Sequence, residues 1–167
     1  NILPWIRLRE MGVELQVVKP DRSGRLDLAD LEKAIKKGTR LVAASQLSNA
    51  LGTVLPVKEI GKICRDHDVA FLVDGAQSVP HMPVDVREIG CDFLCFSGHK
   101  MLAPTGSGVL WKNNEVPVEP LLVGGGMVQD VGDLGDEFRY EIKPGYEGYE
   151  AGTPDISAGI GLGSAVD

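Results

Sequence analysis

Two polar clusters, each directly behind an apolar run, carry the residue types best suited to chemistry. Lys100 ends the sequence Phe96-Ser97-Gly98-His99-Lys100, and Asp74 begins the sequence Asp74-Gly75-Ala76-Gln77. A neutral lysine amine attacks an aldehyde and holds it as a Schiff base. A carboxylate keeps a pyridine ring nitrogen protonated, so that the charged ring acts as an electron sink. The two clusters together suggest a cofactor that is both an aldehyde and a pyridine.

The same residues also have ordinary structural interpretations. A lysine after a strand is usually solvated, and an Asp-Gly pair is usually a turn. The functional hypothesis depends on both clusters following strands, because ligands of open α/β sheets bind beyond the carboxyl ends of the strands. Ser97 and His99 flank Gly98, which offers small donors and close backbone approach to a phosphate group.

The elements that would position these clusters alternate between strand-like and helix-like patterns over the first two-thirds of the chain. This alternation predicts an α/β fold, with a mostly parallel sheet and helices on both faces. Ala70–Val73 and Phe93–Phe96 are continuous apolar runs, as is typical of central parallel strands. The other predicted strands are Val13–Val18, Leu41–Ala44 and Gly108–Trp111, and the predicted helices are Leu3–Met11, Leu28–Lys37 with Asp27 as N-cap, and Pro56 to about His67.

The character of the sequence changes after Trp111, where proline and glycine become frequent. Residues 1–112 are predicted to form the α/β core, 113–155 a loop-rich segment, and 156–167 the start of a helix. An irregular run of about 50 residues is unusual in a compact domain unless it is functional or contacts a partner.

Composition narrows the classes of partner. The 167 residues include 17 Lys+Arg and 24 Asp+Glu, a net charge of −7, which argues against nucleic acid or an anionic membrane as the main partner. Cys64, Cys91 and Cys95 are an odd number without CxxC spacing, which predicts reduced, packed thiols in a cytoplasmic protein. His67 and His81 are expected to be structural, and no His/Cys spacing fits a zinc site.

The two clusters and their order in the chain resemble the signature of the class V aminotransferase-like enzymes, which use pyridoxal 5'-phosphate. The sequence is most similar to the cysteine desulfurase and selenocysteine lyase branch of that group, over essentially its whole length. The resemblance implies the large domain of a fold type I pyridoxal-phosphate-dependent transferase. It is carried by residues 72–77 and 92–106, with support from residues 1–5, Ser48-Asn49-Ala50-Leu51-Gly52-Thr53, Gly124-Gly125-Gly126-Met127 and Glu150-Ala151-Gly152-Thr153-Pro154.

The resemblance implies a role for each matching residue. Lys100 would hold the cofactor covalently and later move protons as the general base, and Asp74 would pair with the ring nitrogen. Gln77 would hydrogen-bond the ring hydroxyl oxygen, and Asn49 would lie near the ring and the substrate carboxylate. The phosphate-binding residues would be Ser97, His99 and, from the partner subunit of a homodimer, Thr153.

Other parts of the family pattern have no match in this sequence. The family has a ring-stacking histidine and phosphate-binding loop upstream of the matched region, and a persulfide-forming cysteine and substrate-binding arginine downstream of it. Cys64, Cys91 and Cys95 do not match that cysteine. The chain is therefore interpreted as the central part of the large domain, truncated at both ends and incomplete as a catalyst when isolated.

The activity implied is removal of sulfur or selenium from L-cysteine or L-selenocysteine to give L-alanine, with a sulfur-acceptor protein as a further partner and a role in iron-sulfur cluster assembly. The alternatives are another class V activity (aminotransferase, epimerase or kynureninase-like hydrolase) and a non-catalytic assembly or binding module. The class V alternatives would share Lys100 and Asp74. The non-catalytic module would bind no cofactor.

Overall fold

The computed structural model describes residues 2–133 and 138–167, and its centre is a four-stranded sheet of order β1-β2-β3-β4. Strands β1 (Leu41–Ser45), β2 (Ala70–Asp74) and β3 (Phe93–Ser97) are parallel, whereas β4 (Gly108–Lys112) is antiparallel to β3. The predicted mostly parallel α/β sheet is therefore confirmed.

Aspartates at the helix starts explain several helix boundaries. Asp27 accepts a hydrogen bond from the Ala29 N–H at 2.8 Å, and Asp155 accepts one from the Ala158 N–H at 3.0 Å. Such caps satisfy amide groups that lack a partner within the helix.

No helix of the described segments is long and apolar enough to span a membrane. The helices are α1 (Leu3–Leu8), α2 (Leu28–Ala34), α3 (Val57–Asp66), α4 (Val86–Ile89) and α5 (Ile156–Val166), with 3-10 turns at Arg9–Met11, Gly98–Met101 and Tyr146–Tyr149.

The main core lies on one face of the sheet. Phe71 and Val73 of β2 are fully buried, and the strand register aligns Val73 with Leu94 of β3. Helices α2, α3 and α4 pack on this face, and burying each large apolar side chain contributes about 1.5–3 kcal/mol. The buried members of this core are Leu31, Val57, Ile60, Cys64, Phe71, Val73, Ile89, Cys91 and Leu94.

The opposite face carries the polar residues at the carboxyl ends of the parallel strands. Side chains alternate between faces along a strand, and the register aligns Ser45, Asp74 and Cys95 across β1, β2 and β3. These three residues therefore share a face, and Ser97 lies on it two residues beyond Cys95. The two faces of the sheet therefore differ. One is apolar and packs against the helices, and the other carries polar residues at the carboxyl ends of the strands.

The predicted strand at Val13–Val18 is wrong. These residues form no strand, and Val13 and Val17 are 49% and 46% exposed. Alternation of apolar and polar residues favours a strand only where a neighbouring strand supplies hydrogen bonds, and the described structure pairs this segment with none. Val18 instead packs against the core without belonging to a strand.

Helix α2 is shorter than predicted. It ends at Ala34 instead of Lys37, and Ile35 is already extended with ψ 115°. The following turn provides the reason, because the Thr39 N–H donates to the Lys36 carbonyl at 2.9 Å while the Thr39 hydroxyl accepts from the Lys36 N–H at 3.0 Å. These reciprocal bonds stabilise the turn in place of a last helical turn.

The loop-rich segment contains a hairpin that the sequence pattern did not predict. Strands β5 (Val128–Asp133) and β6 (Phe138–Ile142) are antiparallel, with an irregular register between Val128 and Asp130. That irregularity interrupts the alternation by which a strand is recognised. The division of the chain at residues 112 and 155 stays a prediction, and the predicted helix after residue 155 is confirmed as α5.

Candidate active site

The candidate site lies at the carboxyl ends of β2 and β3. Asp74 is the last residue of β2 and is level with Cys95. Ser97 is the last residue of β3 and lies about 7 Å further along that strand, given the rise of about 3.3 Å per residue. Both side chains are half-buried and share the polar face of the sheet. The topology therefore brings the two predicted clusters to one edge.

The orientation of Asp74 is fixed by the turn that follows it. Its Oδ1 accepts a hydrogen bond from the Ala76 N–H at 3.0 Å, and the Gly75 N–H donates to the Cys95 carbonyl at 2.8 Å. A Cβ at Gly75 would lie 3.0 Å from Val79 Cγ2 and 3.1 Å from Leu94 Cδ1. Glycine thus lets the chain turn tightly against the core while the carboxylate stays at the edge of the sheet.

Gln77 is in the same turn and is half-buried. Its carbonyl accepts a hydrogen bond from His81 Nδ1 at 2.7 Å. His81 therefore contacts the backbone of a predicted site residue, and its structural role stays a prediction. His67 follows α3, and its Nε2 lies 3.4 Å from Glu32 Oε1.

Lys100 belongs to a 3-10 turn, Gly98–Met101, which we call the Lys100 turn. The Gly98 N–H donates to the Ser107 carbonyl at 2.9 Å, and the Ser107 hydroxyl donates to the Pro104 carbonyl at 2.7 Å. The turn is thus fixed at its start and just after its end, while the side chains of His99 and Lys100 are exposed. This arrangement presents an amine and an imidazole next to Ser97.

Asn49 lies on a loop that follows β1 at the same edge of the sheet. The loop is closed by the Ser48 N–H, which donates to the Thr53 carbonyl at 2.9 Å. Its base is tied to the candidate site, because the Gln46 N–H donates to the Asp74 carbonyl at 3.0 Å. The side chain of Asn49 is exposed and is connected to the site through this backbone link.

Thr153 lies in a different part of the described structure. It is exposed, and the preceding Gly152 N–H donates to the Gly125 carbonyl at 2.8 Å. These contacts join the Thr153 segment to the triple-glycine loop, and none of them joins Thr153 itself to Asp74 or Ser97. Asn1, the first residue of the supporting sequence match, lies outside the described residues.

The residues at this edge fit pyridoxal phosphate by the chemistry of their side chains. A carboxylate suits a protonated ring nitrogen, whereas a hydroxyl, an imidazole and an amine suit an anionic phosphate and an aldehyde. All of these side chains are exposed or half-buried, so a ligand at the edge of the sheet can reach them. In the described residues, no group of three or more His, Cys, Asp or Glu is arranged to hold a metal ion.

Cys64 and Cys91 are buried in the core, as predicted, whereas Cys95 is half-buried on the polar face of the sheet. Burial raises the pKa of the Cys64 and Cys91 thiols to about 11, and burial and then the nearby charge of Asp74 raise the pKa of the Cys95 thiol. A raised pKa favours the neutral thiol, which is neither a nucleophile nor a metal ligand. None of the three is therefore suited to attack sulfur in a substrate.

These thiols are expected to resist modification in the folded protein. For Cys64 and Cys91, the thiolate fraction at pH 8 is about 100-fold lower than at the reference pKa of 9.0, so alkylation should be slower by at least that factor. The free energy of unfolding should fall as the pH rises from 9 towards 11, because the folded state binds these protons more tightly. Iodoacetamide labelling rates of the folded chain and of the chain unfolded in urea test the predicted slow alkylation. Equally fast labelling of the folded and the unfolded chain would contradict it.

Two supporting residues were not identified from the sequence. Ser107 fixes the Lys100 turn, and Gln46 links the Asn49 loop to β2. Gln46 is only 6% exposed, and among the described residues its buried Oε1 has no hydrogen-bond partner. Gln46 could have been identified from the sequence as a polar residue directly after a strand. Ser107 could not, because its role depends on the antiparallel pairing of β4.

Comparison with known proteins identifies the family. The aminotransferase class-V family matches residues 1–167, so the chain belongs to it. The chain is 49% identical over 170 residues to a probable cysteine desulfurase of Methanothermobacter thermautotrophicus and 41% identical to a cysteine desulfurase of Yersinia pseudotuberculosis, covering 100% of this chain in each case. It spans only about 42% and 41% of the length of those two relatives.

Solved structures agree with this assignment. The apo cysteine desulfurase of Thermococcus onnurineus NA1 has a TM-score of 0.89 at 44% identity, with 99% of this chain and 41% of that chain covered. A cysteine desulfurase of Escherichia coli has a TM-score of 0.88 at 32% identity, with the same coverage. The resemblance and the fold type I architecture are therefore confirmed. Enzymes of this family depend on pyridoxal phosphate, which confirms the predicted cofactor for the family.

Proposed function

We propose that this chain is the cofactor-binding part of a cysteine desulfurase, an enzyme that converts L-cysteine to L-alanine and transfers the sulfur to an acceptor. The main support is the edge of the sheet at which Asp74, Ser97 and the Lys100 turn meet. Cysteine desulfurases that are 41–49% identical to the chain favour this activity within the family.

Lys100 and Asp74 would carry the central chemistry. When bound, the cofactor supplies a ring that accepts the electron pair released at the substrate α-carbon. The amine of Lys100 holds the cofactor covalently and then takes the α-proton as general base. Asp74, whose orientation is fixed by the Ala76 N–H, keeps the ring nitrogen protonated. The half-buried position of Asp74 strengthens this charge-assisted hydrogen bond.

The other site residues would orient the cofactor and the substrate. Ser97 and His99 donate hydrogen bonds to the phosphate, and Gln77 hydrogen-bonds the ring hydroxyl oxygen. Asn49 lies near the ring and the substrate carboxylate, at the end of a loop whose base is tied to β2. All four side chains are exposed or half-buried, as these roles require.

Thr153 would contribute to the site of a partner subunit in a homodimer. Its exposure and its position in a segment bound to the triple-glycine loop support a role outside its own site. The reactive cysteine would be a different one, because burial raises the pKa of Cys64, Cys91 and Cys95 and so suppresses their reactivity. Further proposals are cytoplasmic localisation, a sulfur-acceptor protein partner, a role in iron-sulfur cluster assembly and L-selenocysteine as a second substrate.

Turnover by the native protein that contains this chain tests the activity. We expect L-cysteine, with a thiol reductant, to give equal amounts of L-alanine and sulfide, whereas L-kynurenine and pairs of amino and keto acids give no product. Transamination or L-kynurenine hydrolysis without sulfide release would assign a different class V activity. Absence of every turnover, together with absence of cofactor, would favour a non-catalytic module.

A further inference from the structure

Helix α5 packs against the residues that carry Lys100. A Cβ built on Gly161 would lie 2.5 Å from Pro104 Cδ and 2.6 Å from Pro104 Cγ, so the helix backbone contacts the proline ring closely. Leu162, the next residue of α5, extends its Cδ1 to 3.2 Å from a Cβ built on Gly98. The helix therefore touches the Lys100 turn at its first residue and the chain just after it.

The other end of α5 begins next to Thr153. Asp155 caps the helix by accepting the Ala158 N–H at 3.0 Å, and Ala158 is only 3% exposed. A capped helix transmits a shift at one end to the other because its backbone hydrogen bonds resist bending. Thr153 and the Lys100 turn are thus connected through α5, which begins three residues after Thr153.

We infer that α5 positions the Lys100 turn, with Gly161 and Leu162 as the positioning residues. The contact with Pro104 requires glycine at position 161, whereas an added Cβ at Gly159 or Gly163 of the same helix meets no atom of the described residues within 4 Å. The packing of α5 on the Lys100 turn is inferred from these contacts alone. Its importance for cofactor attachment rests on the proposed function. Neither residue touches the cofactor in this proposal, and both act through the position of Lys100.

Gly161→Ala tests the packing without any cofactor. We expect amide hydrogen exchange in residues 98–103 to become about tenfold faster, as an overpacking penalty of ordinary size would cause. Gly159→Ala and Gly163→Ala are matched controls, since each makes the same gain in helix propensity without a collision. Both controls should leave exchange in residues 98–103 unchanged.

A second substitution provides the rescue. Pro104→Ala in the Gly161→Ala background removes both ring atoms that the new methyl group would contact, so exchange in residues 98–103 should return towards the value of Pro104→Ala alone. The inference is overturned if Gly161→Ala exchanges like the two controls, or if Pro104→Ala brings no recovery.

Covalent trapping of the cofactor separates positioning from stability. With added pyridoxal phosphate and borohydride, Gly161→Ala should label Lys100 about tenfold more slowly than Gly163→Ala does, following the same penalty. Ile60→Val, a change in the main core on the face of the sheet opposite Asp74 and Ser97, lowers global stability and should leave the labelling rate unchanged. If labelling of Lys100 slows equally in Ile60→Val, the positioning role of α5 is contradicted. If Lys100 is not labelled in the unsubstituted chain, the proposed function is contradicted, whereas the hydrogen-exchange result still tests the packing.

Discussion

Replacement of Lys100 by alanine is expected to abolish covalent attachment of pyridoxal phosphate and to lower turnover of L-cysteine by about 10²–10⁴-fold, the usual contribution of a positioned proton-transfer group. Both effects have one cause, because the same amine would bind the aldehyde and move the α-proton. The side chain is exposed, so its removal should leave the free energy of unfolding almost unchanged. Borohydride trapping, turnover and urea unfolding measure the three quantities.

Lys62→Ala is the matched control. Lys62 is also exposed and lies on α3, away from the carboxyl edge of the sheet. The Lys62→Ala variant should keep the covalent attachment of the cofactor, the turnover of L-cysteine and the free energy of unfolding unchanged. Substantial turnover by the Lys100→Ala variant would show that another group removes the α-proton. Equal losses of covalent labelling in the Lys100→Ala and Lys62→Ala variants would indicate that the labelling of lysines is unspecific.

Replacement of Asp74 by asparagine is expected to weaken cofactor binding by about 10- to 100-fold, the effect of losing one charge-assisted hydrogen bond. Turnover should fall further, because the ring nitrogen loses the carboxylate that keeps it protonated. Asparagine retains an oxygen for the Ala76 N–H, so the turn should persist and the loss should reflect charge. Titration with pyridoxal phosphate, followed by its visible absorption, measures the affinity.

Asp85→Asn supplies the control for this substitution. Asp85 caps α4 by accepting from the Arg87 and Glu88 N–H groups, and it precedes β3, at the amino edge of the sheet. The change should cost about 0.5–1 kcal/mol of stability at most and leave cofactor affinity unchanged. If Asp74→Asn retains full affinity and turnover, the proposed role of Asp74 is wrong.

The parts of the fold nearest the site could be predicted from the sequence. β2 and β3 are continuous apolar runs that end in polar residues, so both the strands and the position of Asp74 and Ser97 followed from local pattern. Helix α3 was predicted almost to its ends because Pro56 precedes it and its apolar residues share one face. Burial of Phe71 and Val73 confirms that these runs are central strands.

The remaining features depend on contacts between distant residues. The alternation in Val13–Val18 was misleading because no neighbouring strand pairs with it, and the β5–β6 hairpin was hidden by its irregular register. The contact of Gly161 with Pro104 joins residues 57 positions apart in the sequence. A glycine in a helix reveals such a contact only once its packing partner is in place.

Peptide mapping of the chain after pyridoxal phosphate and borohydride treatment tests the central claim most directly. Specific attachment through the Lys100 turn predicts one modified peptide, residues 88–139 after cleavage at arginine alone, with the reduced cofactor on Lys100 and not on Lys112. Modification spread over the exposed lysines, or its absence from Lys100, would contradict the claim that this edge of the sheet is a pyridoxal-phosphate site.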